Sequence, residues 1–279
     1  MLDPFTIAEE AAREAGALLL AGFGGPGLAS PMLGRRHLAD TKATAIDLVT
    51  TYDRGAEELI VRRVRAAFPD DLILGEEGGL QGDAARVSPG RGRWLIDPLD
   101  GTTNFAHGLP FFCVSIAREV GGTVTLGVIF APALGLHFTA IRGGGARLNG
   151  SPLRVSDETA LSRSMLATGF PYDRHTSPDN NFAQFEVLKK RAQAVRRLGS
   201  AALDLALVAH GTYDGYWEMK LKPWDMAAGS LLVEEAGGRV SRWQGEPFSV
   251  DRGAAVATNG RIHDAILAAL AEAGIPSAA

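Results

Sequence analysis

Two carboxylates, Asp97 and Asp100, stand three residues apart in the stretch Trp94-Leu95-Ile96-Asp97-Pro98-Leu99-Asp100-Gly101-Thr102-Thr103-Asn104-Phe105. Their oxygens are hard ligands of the kind Mg²⁺ prefers. Gly101 permits a tight backbone, and Thr102-Thr103 can open a helix whose free N–H groups face an anion. Two oxygen ligands beside an anion cradle suit a Mg²⁺-dependent phosphate enzyme. Asp, Pro and Gly are also ordinary turn residues, so the rest of the chain has to decide.

The elements that must position this stretch can be read on either side of it. Trp94 to Ile96 reads as a short buried strand. Pro98 fixes φ and is expected to stop strand pairing, so the chain leaves the sheet with Asp97 and Asp100 at the strand's carboxyl end. Open α/β sheets bind ligands at that kind of edge. Leu72–Leu74 predicts another buried strand running into Gly75-Glu76-Glu77-Gly78. Adjacent glutamates point differently, so one of the pair enters a site. Asp3-Pro4 predicts an N-cap and first-turn proline for a helix with Ile7, Ala8, Ala11, Ala15, Leu18 and Leu19 on one face, ended by the glycines from Gly22. Gly22 to Asp40 reads as a solvated loop carrying Arg35, Arg36 and His37. A second amphipathic helix carries Ala56, Leu59, Ile60, Val64, Ala67 and Phe68, with Asp53 at its start, where a carboxylate is favourable for capping alone. Gly79 to Arg93 reads as a surface loop.

Downstream, Phe112–Val120, Thr123–Pro132 and Leu136–Arg142 predict three strands, the first two joined by a Gly121-Gly122 hairpin. Gly143-Gly144-Gly145 lacks phosphate-loop spacing and a following helix and reads as a turn, as does Asn149-Gly150. Cys113 reads as core and His107 as structural. The region Asn149 to Asp157 predicts a crossover between an N-terminal α+β half (1–150) and a C-terminal α/β half (151–279). In the second half, strands at 164–168, 195–198, 214–219, 239–243 and 254–258 alternate with helices at 180–191, 200–209, 226–235 and from Arg261. Such alternation implies a partly parallel, layered sheet.

The chain has 279 residues, 46% hydrophobic and 22% charged, enough for a large globular core. A formal charge of −4 argues against nucleic-acid binding as the main business, while a bound cation would still allow anionic substrates. The single cysteine excludes an intramolecular disulfide. With no basic leader and no apolar run of membrane length, a cytoplasmic protein is expected.

The central stretch resembles the first metal motif of the inositol monophosphatase family. Trp224-Asp225-Met226-Ala227-Ala228-Gly229, followed by Glu235-Ala236-Gly237-Gly238, is similar to the second. Lys42 through Asp53 and Gly75-Glu76-Glu77 resemble two shorter family elements. All four occur in family order across about Asp3 to Ala271. The resemblance implies a layered αβαβα sandwich of the carbohydrate-phosphatase type, mixed α+β and α/β, assembled as a homodimer. It also implies Mg²⁺-dependent, lithium-sensitive hydrolysis of a small phosphorylated alcohol, using two or three Mg²⁺ ions.

It further implies roles for individual residues. Glu76, Asp97 and the Leu99 carbonyl hold one ion; Asp97, Asp100 and Asp225 hold a second, and a third lies toward Glu76 and the Lys42 loop. Thr102, bonded to Asp53, positions the attacking water, which also rests on Glu76. The Gly101 and Thr102 N–H groups take phosphate oxygens, while Gly199-Ser200-Ala201 and Glu218 touch the alcohol. No family metal position is substituted. Gathering Asp53, Glu76, Asp97, Asp100 and Asp225 without cations would force several to protonate. The substrate implied first is inositol-1-phosphate. Histidinol phosphate, fructose-1,6-bisphosphate and adenosine 3′,5′-bisphosphate are the alternatives, and a regulatory binding protein on the same fold is the non-enzyme one.

Overall fold

The computed structural model describes residues 3–24, 39–41, 48–83 and 90–275. Lys42, Ile46 and the segment with Arg35, Arg36 and His37 lie outside the described residues.

Helix α1 (Pro4–Phe23) starts where predicted, with the Asp3 carboxylate accepting from the Phe5 and Thr6 N–H groups. It runs through Gly22 and ends among the expected glycines, at Gly24, whose φ of 86° accepts the left-handed C-cap. Strands β1 (Ala39–Thr41) and β2 (Leu48–Thr50) form a small antiparallel pair, and β2 leads into α2 (Thr51–Ala67). Next come β3 (Leu72–Gly75), β4 (Gly79–Gln81), β5 (Gly92–Asp100), α3 (Thr102–His107), β6 (Cys113–Val120), β7 (Thr123–Ala131), β8 (Leu136–Ile141), β9 (Gly145–Leu148) and β10 (Ser151–Pro152). The strands from β3 to β10 make one eight-stranded sheet in the order β10-β9-β8-β7-β6-β5-β3-β4. Part of the segment 79–93, expected as loop, therefore belongs to the sheet: Gly79–Gln81 pairs back on β3, and Gly92-Arg93 extends β5.

The second half supplies β11 (Met165–Thr168), α4 (Phe182–Arg191), β12 (Ala194–Arg196), α5 (Ala201–Ala209), β13 (Gly215–Met219), α6 (Pro223–Glu235), β14 (Arg239–Ser241), β15 (Ala254–Thr258) and α7 (His263–Glu272). Its five-stranded sheet has the order β12-β11-β13-β15-β14, with β11 parallel to β12 and β13 and the other pairs antiparallel.

Five layers result. Helices α1 and α2 cover one face of the large sheet; α5 and α6 lie between the two sheets; α4 and α7 cover the far face of the small one. Strand alternation feeds a separate core on each side. On β5, Trp94 and Ile96 pack toward α1 and α2, while Leu95 packs toward α5 and α6. On β13, Tyr216 faces the inner helices, and Trp217 and Met219 face α7. No described helix is long and apolar enough to cross a membrane.

The start of β5 is pinned by a buried charge. Asp71 accepts from the Trp94 indole at 2.9 Å, the Gly92 N–H at 2.7 Å and the Arg118 guanidinium at 2.8 Å. Arg118 lies over the Phe68 and Trp94 rings. Burial pushes the Asp71 carboxyl up, but these donors outweigh it and hold the group below its ordinary value of 3.8. A depressed carboxyl contributes stability at neutral pH that is lost as acid protonates it. Removing one partner strands the other charge inside. Asp71→Asn is expected to lower unfolding free energy by about 3 kcal/mol at pH 7 and to lose less on acidification below pH 4 than wild type, as read by denaturant titration.

Candidate active site

Asp97 and Asp100 share one face because β5 carries a bulge. In a regular strand, residues three apart point to opposite faces. Here Asp97 lies opposite Ser115 and Asp100 opposite Cys113, so β5 spends one residue more than β6 over that interval. Pro98 sits inside the bulge. It interrupts the pairing but does not end it, as the proline had been expected to do, because Asp100 rejoins the ladder. Ser115 bonds the Trp224 carbonyl of α6 at 3.2 Å, and Cys113 packs in the inner core, so this face looks toward α5 and α6.

Each carboxylate is held by backbone or hydroxyl donors. Asp97 Oδ1 accepts from the Leu99 N–H at 3.0 Å. Asp100 Oδ2 accepts from the Ser200 hydroxyl at 2.7 Å and from the Ala202 N–H at 2.7 Å. Asp225, in the first turn of α6, accepts from the Lys222 N–H at 2.7 Å. Asp53, in the first turn of α2, is bonded to Thr50 through one oxygen, completing a capping box, while its other oxygen lies 2.9 Å from the Thr102 hydroxyl. One residue thus serves both readings that the sequence left open for it. The Thr102 hydroxyl also lies 3.1 Å from the Leu99 carbonyl.

Gly101 makes the corner into α3. Its φ is 98°, and a Cβ there would approach the Phe111 carbonyl oxygen to 2.9 Å, so both conformation and space call for glycine. No side chain caps the N-terminus of α3.

Burial and mutual repulsion disturb the acids together. Burial pushes Asp97 well up, reinforced by Glu76, Asp100 and Asp225, and a hydrogen bond with Glu76 adds to the effect. Burial likewise raises Asp225, reinforced by Asp100 and Glu76. Asp53 and Asp100 are each raised to about 6, chiefly by burial, against the donors named above. Of the adjacent pair, Glu76 belongs to the cluster, whereas Glu77 lines a separate cleft with Arg54, Glu58 and Arg62. As they stand, no three acids among the described residues form a ready coordination shell. They surround a common space from neighbouring elements, and every donor is a hard oxygen. That chemistry fits a divalent magnesium-like cation.

On the opposite wall, Glu218 accepts from the Tyr216 hydroxyl at 2.6 Å. Burial pushes its carboxyl to about 7, against the Tyr216 bond and the positive charge of Arg197. Gly169 makes room for it: a Cβ there would fall 2.1 Å from the Glu218 oxygens. Gly199 has a φ of 83° and turns the chain into α5. The Ser200 hydroxyl donates to Asp100 and accepts from the Leu203 N–H, capping α5. Ala201 opens α5 beside it. Asn104 spans the two halves, donating to the Phe111 and Leu198 carbonyls at 2.7 Å each. Arg197, Gly169 and Asn104 had not been singled out; only Asn104 lay within a recognised stretch. Their signals are contacts between segments about twenty to a hundred residues apart, which spacing cannot reveal.

A family profile described as the inositol monophosphatase family matches residues 1–274. An inositol-1-monophosphatase from Synechocystis sp. is 45% identical over 238 residues, 85% of this chain and 82% of that protein. A Pseudomonas aeruginosa protein named Nus factor SuhB is 46% identical over 228 residues, 80% of this chain and 82% of its own. Among solved structures, an inositol monophosphatase from Anabaena (Nostoc) sp. superposes with a TM-score of 0.84 at 42% identity, covering 96% of this chain and 95% of that one.

The raised carboxyls set a pH signature. A group whose folded pKa lies above its unfolded value stabilises the fold at low pH, and that contribution is lost as pH rises through the folded value. Asp53, Asp100 and Glu218 span about 6 to 7. Chelated protein is therefore expected to melt at a higher temperature at pH 5.5 than at pH 7.5, with added Mg²⁺ stabilising most at pH 7.5. Differential scanning fluorimetry reads both, and a flat profile in chelator would contradict the burial of these acids.

Proposed function

The chain belongs to the inositol monophosphatase family and is a phosphoric monoester hydrolase, and from that premise we propose that its substrate is a small phosphorylated alcohol, inositol-1-phosphate first, hydrolysed in the cytoplasm with Mg²⁺. The observation that carries this reading is the bulge at Asp97–Asp100, which turns two carboxylates to one face within range of Glu76 and Asp225. Glu76, Asp97, Asp100, Asp225 and the Leu99 carbonyl would hold two or three ions, Lys42 standing nearby in sequence beside Asp53. When bound, Mg²⁺ supplies charge neutralisation for the phosphate, the attacking water and the leaving alkoxide.

The chain's own groups do the orienting. The Gly101 and Thr102 N–H groups bind phosphate oxygens at the open end of α3. Thr102, tied to Asp53, holds the water in line, with Glu76 as its second contact. Asp53, whose carboxyl is raised to about 6, accepts the Thr102 hydroxyl proton as Thr102 takes one from the attacking water. Glu218 accepts from the alcohol's hydroxyls, and the Gly199-Ser200-Ala201 turn closes around them. A homodimer belongs to the same reading.

One finding favours a second role on the same fold: relatives of comparable identity are named Nus factor SuhB. The formal charge of −4 had weighed against nucleic-acid binding, so a regulatory role of that kind would rest on protein contacts.

A panel of phosphate esters compared by kcat/KM with Mg²⁺ tests the assignment. Inositol-1-phosphate is expected to rank above histidinol phosphate, fructose-1,6-bisphosphate and adenosine 3′,5′-bisphosphate. Asp225→Asn should cost at least about 10²-fold in kcat, the scale on which single electrostatic stabilisers act. Activity that survives thorough chelation would sink the metal reading, and sedimentation at the mass of one chain would sink the dimer.

Chemistry and recognition should also separate. Thr102→Ala is expected to lower kcat by about 10²–10⁴-fold. Glu218→Gln should chiefly raise KM for polyols and leave turnover of a small aryl phosphate unchanged. Equal damage to the aryl ester by both substitutions would place Glu218 with the ions instead.

A further inference from the structure

We propose that Glu57 is a positioning residue for hydrolysis: from α2 it fixes the turn that aims Glu76 at the cation cluster. The inference rests on the reading of Glu76 as a ligand of the ion and the water.

Glu57 is 4% exposed and lies one helical turn after Asp53, on the same face of α2. Its two oxygens accept from consecutive backbone donors, Oε2 from the Glu77 N–H at 2.9 Å and Oε1 from the Gly78 N–H at 2.6 Å. The turn closes tightly on the carboxylate. A Cβ on Gly75 would approach the Glu57 carboxylate to 2.6 Å, and one on Gly78 to 2.7 Å. Glycine on both flanks lets the backbone wrap the anion.

This clasp decides which of two adjacent glutamates reaches the site. With the N–H groups of residues 77 and 78 drawn toward α2, the Glu76 side chain is left toward Asp97, and Glu77 toward the outer cleft. The Glu76 N–H is bonded to the Ile96 carbonyl at 3.1 Å, tying the other end of the turn to β5. Asp53 holds Thr102 and Glu57 holds the Glu76 turn. One face of α2 therefore sets both groups between which the attacking water would rest. A misplacement of about 1 Å in such an arrangement can cost about 10²-fold in rate.

Glu57→Gln keeps the shape but leaves one acceptor oxygen, and its NH₂ group faces a donor. Gly78→Ala attacks the same clasp from the exposed side of the turn. For both variants, hydrogen exchange of the peptide spanning residues 72–80 is measured in chelator, Mg²⁺ affinity by calorimetry, and kcat and KM with an aryl phosphate. The Glu77 and Gly78 amides are expected to exchange at least about tenfold faster. Mg²⁺ affinity and kcat should fall about 10–100-fold, as when support behind a metal ligand is removed, with KM nearly unchanged. Faster exchange with unaltered Mg²⁺ affinity and kcat would make Glu57 a purely structural residue and overturn the proposal, as would unaltered exchange. If Glu57→Gln does not fold, Gly78→Ala decides by the same criteria. Wild type that binds Mg²⁺ yet hydrolyses no ester refutes the phosphatase reading alone, because exchange and affinity still judge Glu57. Wild type that binds no Mg²⁺ refutes both.

Discussion

Buried like charges are the constraint on which the rest of the molecule depends. Asp97 and Asp225 are raised by the carboxylates beside them as well as by burial, with Asp97 sealed from solvent and Asp100 and Asp225 half-buried. The fold answers with positive helix ends. Asp53 sits in the first turn of α2, Asp100 accepts from the first turn of α5, Asp225 sits in the first turn of α6, and Thr102 opens α3. Helix N-termini carry unpaired N–H groups and partial positive charge. Four of them meet the acid cluster and offset its repulsion.

That convergence explains the composition of the inner helices. An ordinary surface helix is apolar on one stripe, but α5 and α6 lie between two sheets and are buried nearly all round. They must also come close. A Cβ on Gly127 of β7 would approach the Ala228 Cα to 2.8 Å, and one on Gly229 would meet the Leu205 side chain at 2.5 Å. Alanine and glycine in Trp224–Gly229 therefore have a packing reason independent of catalysis. Asp225 is the one ionisable side chain in that stretch.

The two halves meet at the site through few but specific ties. Asn104 links α3 to the turn before α5, and the Asp100–Ser200 bond links β5 to the same turn. The corner that opens α3 and the turn that opens α5 are thus fastened to each other directly. Glu218, raised to about 7 chiefly by burial, also feels the Asp100 charge across this junction.

Element types and their order were legible in the chain because apolar periodicity, caps and turn residues are local. The hairpin at Gly121-Gly122, the caps at Asp3 and Ser200, and the alternation from β11 to α7 all follow from neighbours in sequence. The carboxylates themselves were legible too, as residue types in recognisable motifs. What the sequence could not decide is direction. Pro98 argues locally for a strand end, yet pairing with β6 resumes at Asp100, and only that partner strand creates the bulge that turns both aspartates the same way. Glu76 and Glu77 are equivalent as letters; a clasp from Glu57, twenty residues upstream, separates them. The Ser200 hydroxyl is aimed by Asp100, a hundred residues earlier. Hydrogen bonds are short-ranged and directional, so the aim of a side chain is settled by whichever distant donor the tertiary fold brings within about 3 Å.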